Sequence, residues 1–197
     1  MLKRTFDIIC SFIGLIILTP LLILISIAII FTSGLPIFFI QKRVGKNNVD
    51  FGLFKFRTMG KHADKKGLLT VGGRDPRITK IGYYLRKYKL DELPQLLNVF
   101  FGTMSIVGPR PEVRKYVDLY DPEQKKVLLV KPGITDYASL EYFSENELLA
   151  KSTQPEETYV NEIMPAKLEL NKKYILNNNI LVDIKIIFKT LKKIVRR

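Results

Sequence analysis

Two adjacent carboxylates, Asp91 and Glu92, are the first acidic residues after Asp75, and they follow the basic tract Arg86, Lys87 and Lys89. Asp91 is suited to cap a helix, because Pro94 is acceptable in a first helical turn. The helix dipole holds a carboxylate there as the anion, and the same helix end attracts phosphate. An ionised carboxylate beside a phosphate-binding end is a candidate nucleophile or magnesium ligand. The plainer reading makes Asp91 a cap and Glu92 a solvated acid.

Cations recur near turns elsewhere in the chain. Gln41-Lys42-Arg43-Val44-Gly45 follows a long apolar run, and Lys55-Phe56-Arg57-Thr58 puts two cations on one face of a predicted strand. Gly108-Pro109-Arg110-Pro111-Glu112 fixes an arginine between two prolines, a setting in which a cis bond is common enough to consider. Arg43, Lys55, Arg86 and Arg110, with the Pro109–Pro111 turn, could clamp a diphosphate. Taken singly, each charge run is more simply a solvated face, and Pro109-Arg110-Pro111 and Lys131-Pro132-Gly133 are more simply turns. The single histidine, His62, reads as an exposed side chain. With one histidine and one cysteine, Cys10, the chain can build no disulfide, no cysteine- or histidine-based metal cluster and no Ser-His-Asp triad.

These residues need elements to hold them. No charge occurs between Asp7 and Lys42, and Ile8 to Phe31 is long enough to reach across a bilayer as a helix. Both flanks are basic, Lys3-Arg4 before and Lys42, Arg43 and Lys46 after, which argues against a simple span. Thr19-Pro20 lies near the middle, where proline removes a backbone donor and the threonine hydroxyl can bond a freed carbonyl. The run reads as a re-entrant helix-break-helix over residues 1–41, against a spanning helix or a buried core helix. Residues 42–197 read as one small cytosolic domain, mainly helical α+β with little strand. Its strand is Phe51 to Met59, and Gly67 to Pro76 is a loop. Helices are predicted over Thr79 to Lys89, from Asp91 to about Phe100 with Gly102 ending it, near 111–129, and over 156–163 and 165–177. Ile180 to Arg197 forms a basic helix with apolar spacing, which suits either the membrane interface or packing on the domain. The net charge is +13, and the excess is concentrated in residues 1–90, with 16 basic against 4 acidic residues. An anionic partner near the first half follows.

Taken together, these motifs resemble the monotopic bacterial sugar transferases, the polyprenyl-phosphate phosphoglycosyl transferases. The resemblance runs from Lys3-Arg4-Thr5-Phe6-Asp7 and Thr19-Pro20 through Gln41-x-Arg43-x-Gly45 and Phe54-Lys55-Phe56-Arg57-Thr58-Met59. It is most specific at Leu90-Asp91-Glu92-Leu93-Pro94-Gln95-Leu96 with Asn98, and at Met104-Ser105-x-x-Gly108-Pro109-Arg110-Pro111. It ends with Lys131-Pro132-Gly133-Ile134-Thr135 and Asp183-Ile184-Lys185. The resemblance implies transfer of a sugar-1-phosphate from a UDP-sugar to polyprenyl (undecaprenyl) phosphate with release of UMP. This would be the first membrane step of a glycoconjugate or polysaccharide pathway. Asp91 would attack the β-phosphorus and carry the sugar-phosphate covalently, and Glu92 would orient the site or assist proton transfer. Mg²⁺, touched by Asp91, would offset the diphosphate with Lys55, Arg86 and Arg110, and the Pro109-Arg110-Pro111 turn would belong to the nucleotide pocket.

The implied location is the bacterial inner (cytoplasmic) membrane, with the catalytic domain on the cytosolic face. The implied partners are the UDP-sugar, polyprenyl phosphate and the phospholipid membrane, with no nucleic acid and with self-association into a homo-oligomer left open. Two departures stand out. Asp136-Tyr137-Ala138-Ser139 replaces the family's common Gly-Leu-Ala-Gln, which leaves the donor sugar open, and the hairpin break is Thr-Pro where Ser-Pro is common. Competing readings are a non-catalytic membrane scaffold of the same fold and a membrane-tethered nucleic-acid-binding protein. The second has no recognisable nucleic-acid motif.

Overall fold

The apolar run forms the middle of a single helix, α1 (Leu2–Ser33), in the computed structural model, which describes residues 2–60, 63, 69–72 and 75–196. At 1.5 Å per residue α1 is about 48 Å long. The expected break at Thr19-Pro20 does not interrupt it, since helical structure continues through Pro20. The Thr19 hydroxyl donates to the Leu15 carbonyl at 2.7 Å. That is the carbonyl next to the one Pro20 frees, that of Ile16.

Both ends of α1 are fastened to the rest of the chain. Near its start, Lys3 Nζ pairs with Asp183 at 2.5 Å, Arg4 donates to the Val99 and Phe100 carbonyls at 2.6 and 2.8 Å, and Asp7 accepts from Ser105 Oγ and the Ile106 amide, both at 3.0 Å. At its end, Arg57 Nη2 donates to the Ser33 and Gly34 carbonyls, each at 2.5 Å. Between these points Ile25 and Ile29 are buried against Phe56 and Leu85. The helix therefore lies along the domain, and its other face leaves Ile9, Phe12, Ile16, Ile17, Leu24 and Phe31 exposed.

A hairpin follows: β1 (Phe38–Val44) pairs antiparallel with β2 (Asp50–Phe56), turning through Asn47 and Asn48 in left-handed conformations. The strand is shorter than predicted. It stops at Phe56, because Arg57 turns away to close the end of α1, so Lys55 and Arg57 do not act as a pair on one face. His62 and four residues of the predicted loop Gly67 to Pro76 (67, 68, 73 and 74) lie outside the described residues. Thr79 caps α2 (Lys80–Lys87), accepting from the Gly82 amide, which matches the predicted helix.

Gln95 to Phe101 forms α3, ended by Gly102 at φ 92°, the left-handed geometry that favours glycine. Asn98 on α3 is buried and pins β2, accepting from the Phe54 amide at 2.9 Å and donating to the Gly52 carbonyl at 2.7 Å. A second small sheet pairs β3 (Ser105–Val107) parallel with β4 (Gly133–Thr135).

The predicted helix near 111–129 appears as α4 (Arg114–Val117) and a 3₁₀ helix over Gln124–Leu129. Short helices α5 (Tyr137–Glu141) and α6 (Glu145–Leu149) come next. Then α7 (Pro155–Thr158) runs through a π turn at Tyr159–Ile163 into α8 (Met164–Leu176). Val117, Leu149, Tyr159 and Leu168 form the largest core cluster. The last helix, α9 (Ile180–Val195), separates its apolar residues onto two faces. Ile186 is buried with Val107 and Tyr174, whereas Leu181, Ile184, Phe188, Leu191 and Val195 are exposed. The fold is α+β and mainly helical, with two short two-stranded sheets among the described residues.

The turn that carries Arg110 depends on two glycines in close approach. A Cβ built on Gly133 would lie 2.1 Å from the Gly108 nitrogen. The Gly133 amide also donates to the Pro109 carbonyl at 3.0 Å. Gly133→Ala must therefore push β3 and β4 apart. The expected loss is about 3 kcal/mol or more, at the upper end for overpacking because backbone must move. It is measurable as a lowered midpoint in chemical unfolding, and an unchanged midpoint would refute the close approach.

Candidate active site

The chain leaves α2 through Lys89, held at φ 56°, and enters one 3₁₀ turn, Leu90–Glu92. The helix that follows begins after Pro94, so Asp91 caps nothing, contrary to the sequence reading. Asp91 is buried, 7% exposed, and its carboxylate makes no hydrogen bond or ion pair among the described residues. Burial, then the charge of Glu92, pushes its pKa up, against the opposing pull of Lys55 and Arg86. The dipole-stabilised anion expected from the sequence is thus not what the surroundings favour.

Glu92 is not solvated either. Arg110 grips it with two nitrogens, Nη1 to Oε2 at 3.1 Å and Nη2 to Oε1, and Lys55 Nζ reaches Oε1 at 3.5 Å. Burial alone would raise the Glu92 pKa. The cations Arg110, Lys55 and Lys89 outweigh it and hold the group well below the usual carboxylate range. Glu92 in turn pushes Arg110 up. Lys55 is brought down to about 8, first by burial and then by the like charges of Arg110 and Arg43, with Glu92 and Asp91 opposing.

The remaining predicted residues divide into those that reach this cluster and those that brace it. Arg86 stands near, with Nη2 donating to Thr70 Oγ1 at 3.0 Å while Nη1 is buried without a partner. Arg43 braces the Pro109-Arg110-Pro111 turn from behind, donating to the Pro111 carbonyl at 3.0 Å and to Glu112 at 2.9 Å, with Gln41 holding its other side. Pro109 and Pro111 shape that turn with trans bonds, since Leu35–Pro36 is the one cis peptide among the described residues. Thr19 and Pro20 do not line the cleft described below.

Sequence reasoning missed Asp136. It is fully buried, accepts from the Arg110 amide at 3.0 Å, and caps α5 by accepting from the Ser139 amide at 2.5 Å. The Asp-x-x-Ser spacing before a short helix was the available signal.

These groups open onto a cleft of about 960 Å³. One part is cationic and acidic, with Lys55, Arg86, Asp91, Glu92 and Arg110. Another is apolar, with Leu18 from α1, Leu96 from α3, and Ile187 and Leu191 from α9. That size suits a small organic ligand with an anionic head. Among the described residues, no three His, Cys, Asp or Glu side chains converge as a metal cage.

The family model described as bacterial sugar transferase matches residues 1–197. The chain belongs to the bacterial sugar transferase family. It is 39% identical to the uncharacterized sugar transferase EpsL of Bacillus subtilis (strain 168), over 98% of this chain and 87% of that one. It is 34% identical to the UDP-N-acetylgalactosamine-undecaprenyl-phosphate N-acetylgalactosaminephosphotransferase of Aeromonas hydrophila, over 98% of this chain. It is 35% identical to the UDP-glucose:undecaprenyl-phosphate glucose-1-phosphate transferase of Escherichia coli (strain K12), again over 98%. The chain spans only 43% and 40% of the last two family members.

Proposed function

We propose that the protein transfers a sugar-1-phosphate from a UDP-sugar to undecaprenyl phosphate, releasing UMP, at the cytosolic face of the bacterial cytoplasmic membrane. The observation that carries the reading is the carboxylate of Asp91, buried and unpaired among the described residues, in a cleft lined by both cationic and apolar side chains. The names of the A. hydrophila and E. coli relatives support the reaction class.

In the first step an Asp91 oxygen attacks the β-phosphorus of the donor. The bond from that phosphorus to the bridging oxygen breaks, and UMP leaves with the electron pair. The sugar-phosphate stays on Asp91 as an acyl phosphate. In the second step a phosphate oxygen of undecaprenyl phosphate attacks the same phosphorus and displaces the Asp91 carboxylate, giving the diphosphate-linked sugar lipid. Arg86 lines the cleft with its Nη1 unpartnered and so can donate to the diphosphate, and Arg110 and Lys55 add positive charge while holding Glu92 in place.

The residues fit a magnesium ion shared with substrate. Asp91 offers a buried oxygen pair with no donor among the described residues, and magnesium is commonly held by one or two carboxylates and the substrate's phosphates. Asp91 would hold the ion, and Glu92 would not, because Arg110 and Lys55 occupy its oxygens. Magnesium supplies charge neutralisation of the diphosphate.

In this reading α1 acts as a monotopic membrane element that lies against one leaflet, with both of its ends on the side of the domain. Support comes from the contacts at both ends of α1, which a helix crossing to the far side could not make with one domain. The exposed stripe of α9, flanked by Lys185, Lys189 and Lys192, lies in the same interface. The test is UMP release from a panel of UDP-sugars with Mg²⁺ and undecaprenyl phosphate in a membrane mimic. No release from any donor by folded protein would sink the proposal.

Lys55 gives this activity a pH signature. Its cation is present below about 8 and lost above it, so turnover at saturating donor should fall through a limb near that value. Lys55→Arg should move the limb upward or remove it, and an identical limb in that variant would exonerate Lys55. The same lowered pKa acts oppositely on folding. Between about 8 and the ordinary 10.5 the unfolded chain binds a proton that the native state does not, so Lys55 makes stability rise with pH there.

A further inference from the structure

Lys131-Pro132-Gly133 supplies a cation that the transfer chemistry leaves unused. Lys131 follows the 3₁₀ helix that ends at Leu129 and precedes β4, and its ammonium has no hydrogen bond or ion pair among the described residues. It faces the left-handed Gly102 at the end of α3. A Cβ built on Gly102 would lie 3.6 Å from Lys131 Nζ and 3.0 Å from Arg4 Nη2. Two cations therefore border one point that only the missing side chain leaves open. Arg4 spends two donors on the Val99 and Phe100 carbonyls, which carry no formal charge. Lys46 adds a further like charge, and the nearby carboxylate, Asp7, is occupied by Ser105 and Ile106. Burial, then Arg4, pulls the Lys131 pKa down, with Asp7 opposing, as befits a cation gathered with like charges.

The place of this cradle indicates its anion. Neither Arg4, Lys46, Gly102 nor Lys131 lines the catalytic cleft. Beside it stand Phe101, 70% exposed, and Phe12, 52% exposed, linked through Phe100 by ring contacts at 5.8 and 6.1 Å. Three cations, Arg4, Lys46 and Lys131, against the one carboxylate of Asp7 leave an excess of positive charge at the rim of an exposed apolar surface, which matches a headgroup phosphate whose chains lie along that surface. We propose that Arg4 and Lys131, over Gly102, bind the phosphate of an anionic phospholipid, at a site separate from the transfer site. The inference rests on the membrane-facing reading of α1.

The test follows acetylation of Lys131 in the full chain by an amine-reactive ester, read by mass spectrometry, with exposed Lys151 and Lys189 as references. The protein is placed in phosphatidylcholine discs with or without phosphatidylglycerol. A bound headgroup should slow Lys131 about fivefold or more in the phosphatidylglycerol discs, the scale of one cation at an anionic surface, and more than it slows Lys189. Equal slowing of Lys131 and Lys189 would mean diffuse attraction and would overturn the site, as would no slowing. Slowing by undecaprenyl phosphate in phosphatidylcholine discs, but not by phosphatidylglycerol, would hand the cradle to the acceptor and overturn the phospholipid assignment. Slowing by millimolar inorganic phosphate alone would reduce it to a free-anion site, with the same consequence. Failure to enter any disc would defeat the membrane reading, and this inference with it, whereas entry without protection would defeat this inference alone.

Discussion

Asp91→Asn should abolish UMP release, by about 10⁴-fold or more, while leaving the protein folded and no less stable. The activity loss follows because the amide oxygen cannot form the acyl phosphate and the adjacent carboxylate is not free to replace it. Glu92, its neighbour, is held by Arg110 and Lys55. The stability expectation follows from the carboxyl's surroundings. Asp91 is buried without a donor, and its pKa is raised by that burial and by Glu92. A neutral side chain of the same shape removes that electrostatic burden, so the thermal midpoint should hold or rise. Label from a donor carrying radioactive β-phosphate should remain on wild-type chain after denaturation and be missing from the variant. A variant that turned over normally would rule out Asp91 as the nucleophile.

Arg110→Ala should be the most damaging single change to the site's structure. It removes both guanidinium contacts from Glu92 and leaves a buried carboxylate facing Lys55 at 3.5 Å. Breaking a buried pair from one side typically costs about 3–5 kcal/mol, because the remaining charge is uncompensated. The loss should depend on pH. In the wild type, Glu92 sits well below its ordinary 4.5, so its pairing stabilises the protein above that value and the gain is lost only as pH falls through the lower native pKa. In Arg110→Ala, burial should lift the native pKa above 4.5, so the variant should lose stability as pH rises through that region. Combining it with Glu92→Gln should recover much of the lost stability but none of the activity. A double variant as unstable as the sum of the two single ones would show that the pair is not coupled.

The parts of this molecule set by short-range spacing were readable in its sequence. The apolar stretch Ile8 to Phe31 inside α1, the start of α2 at Thr79 and the Gly102 stop of α3 all follow from local rules of charge, hydropathy and left-handed glycine. Asp91, Glu92, Lys55, Arg86 and Arg110 were also picked out in sequence and stand together in the fold. What local rules could not supply was the partner of each charge. Nothing near Arg57 in sequence says that it closes α1 through Ser33 and Gly34. Nothing near Arg43 says that it braces a turn almost seventy residues away. The Asp91 turn was misread because a left-handed Lys89 and burial under neighbouring elements override a favourable capping pattern. The spacing of α9 suits either the membrane interface or packing on the domain, and only the tertiary contacts of Ile186 show that one face is buried while another stays open.

Fastening α1 at both ends also fixes an altitude. Gly14, midway along the helix, lets Leu96 approach so closely that a Cβ there would meet its methyl at 3.4 Å, and Leu96 is five residues beyond Asp91. Asp91, the proposed nucleophile, is thereby kept at least one helix diameter, about 10 Å, from whatever touches the outer face of α1. An acceptor anchored in that surrounding would search for the enzyme in two dimensions. It would need to lift only its phosphate to meet the donor, and its product would slide away without its chain leaving the oil.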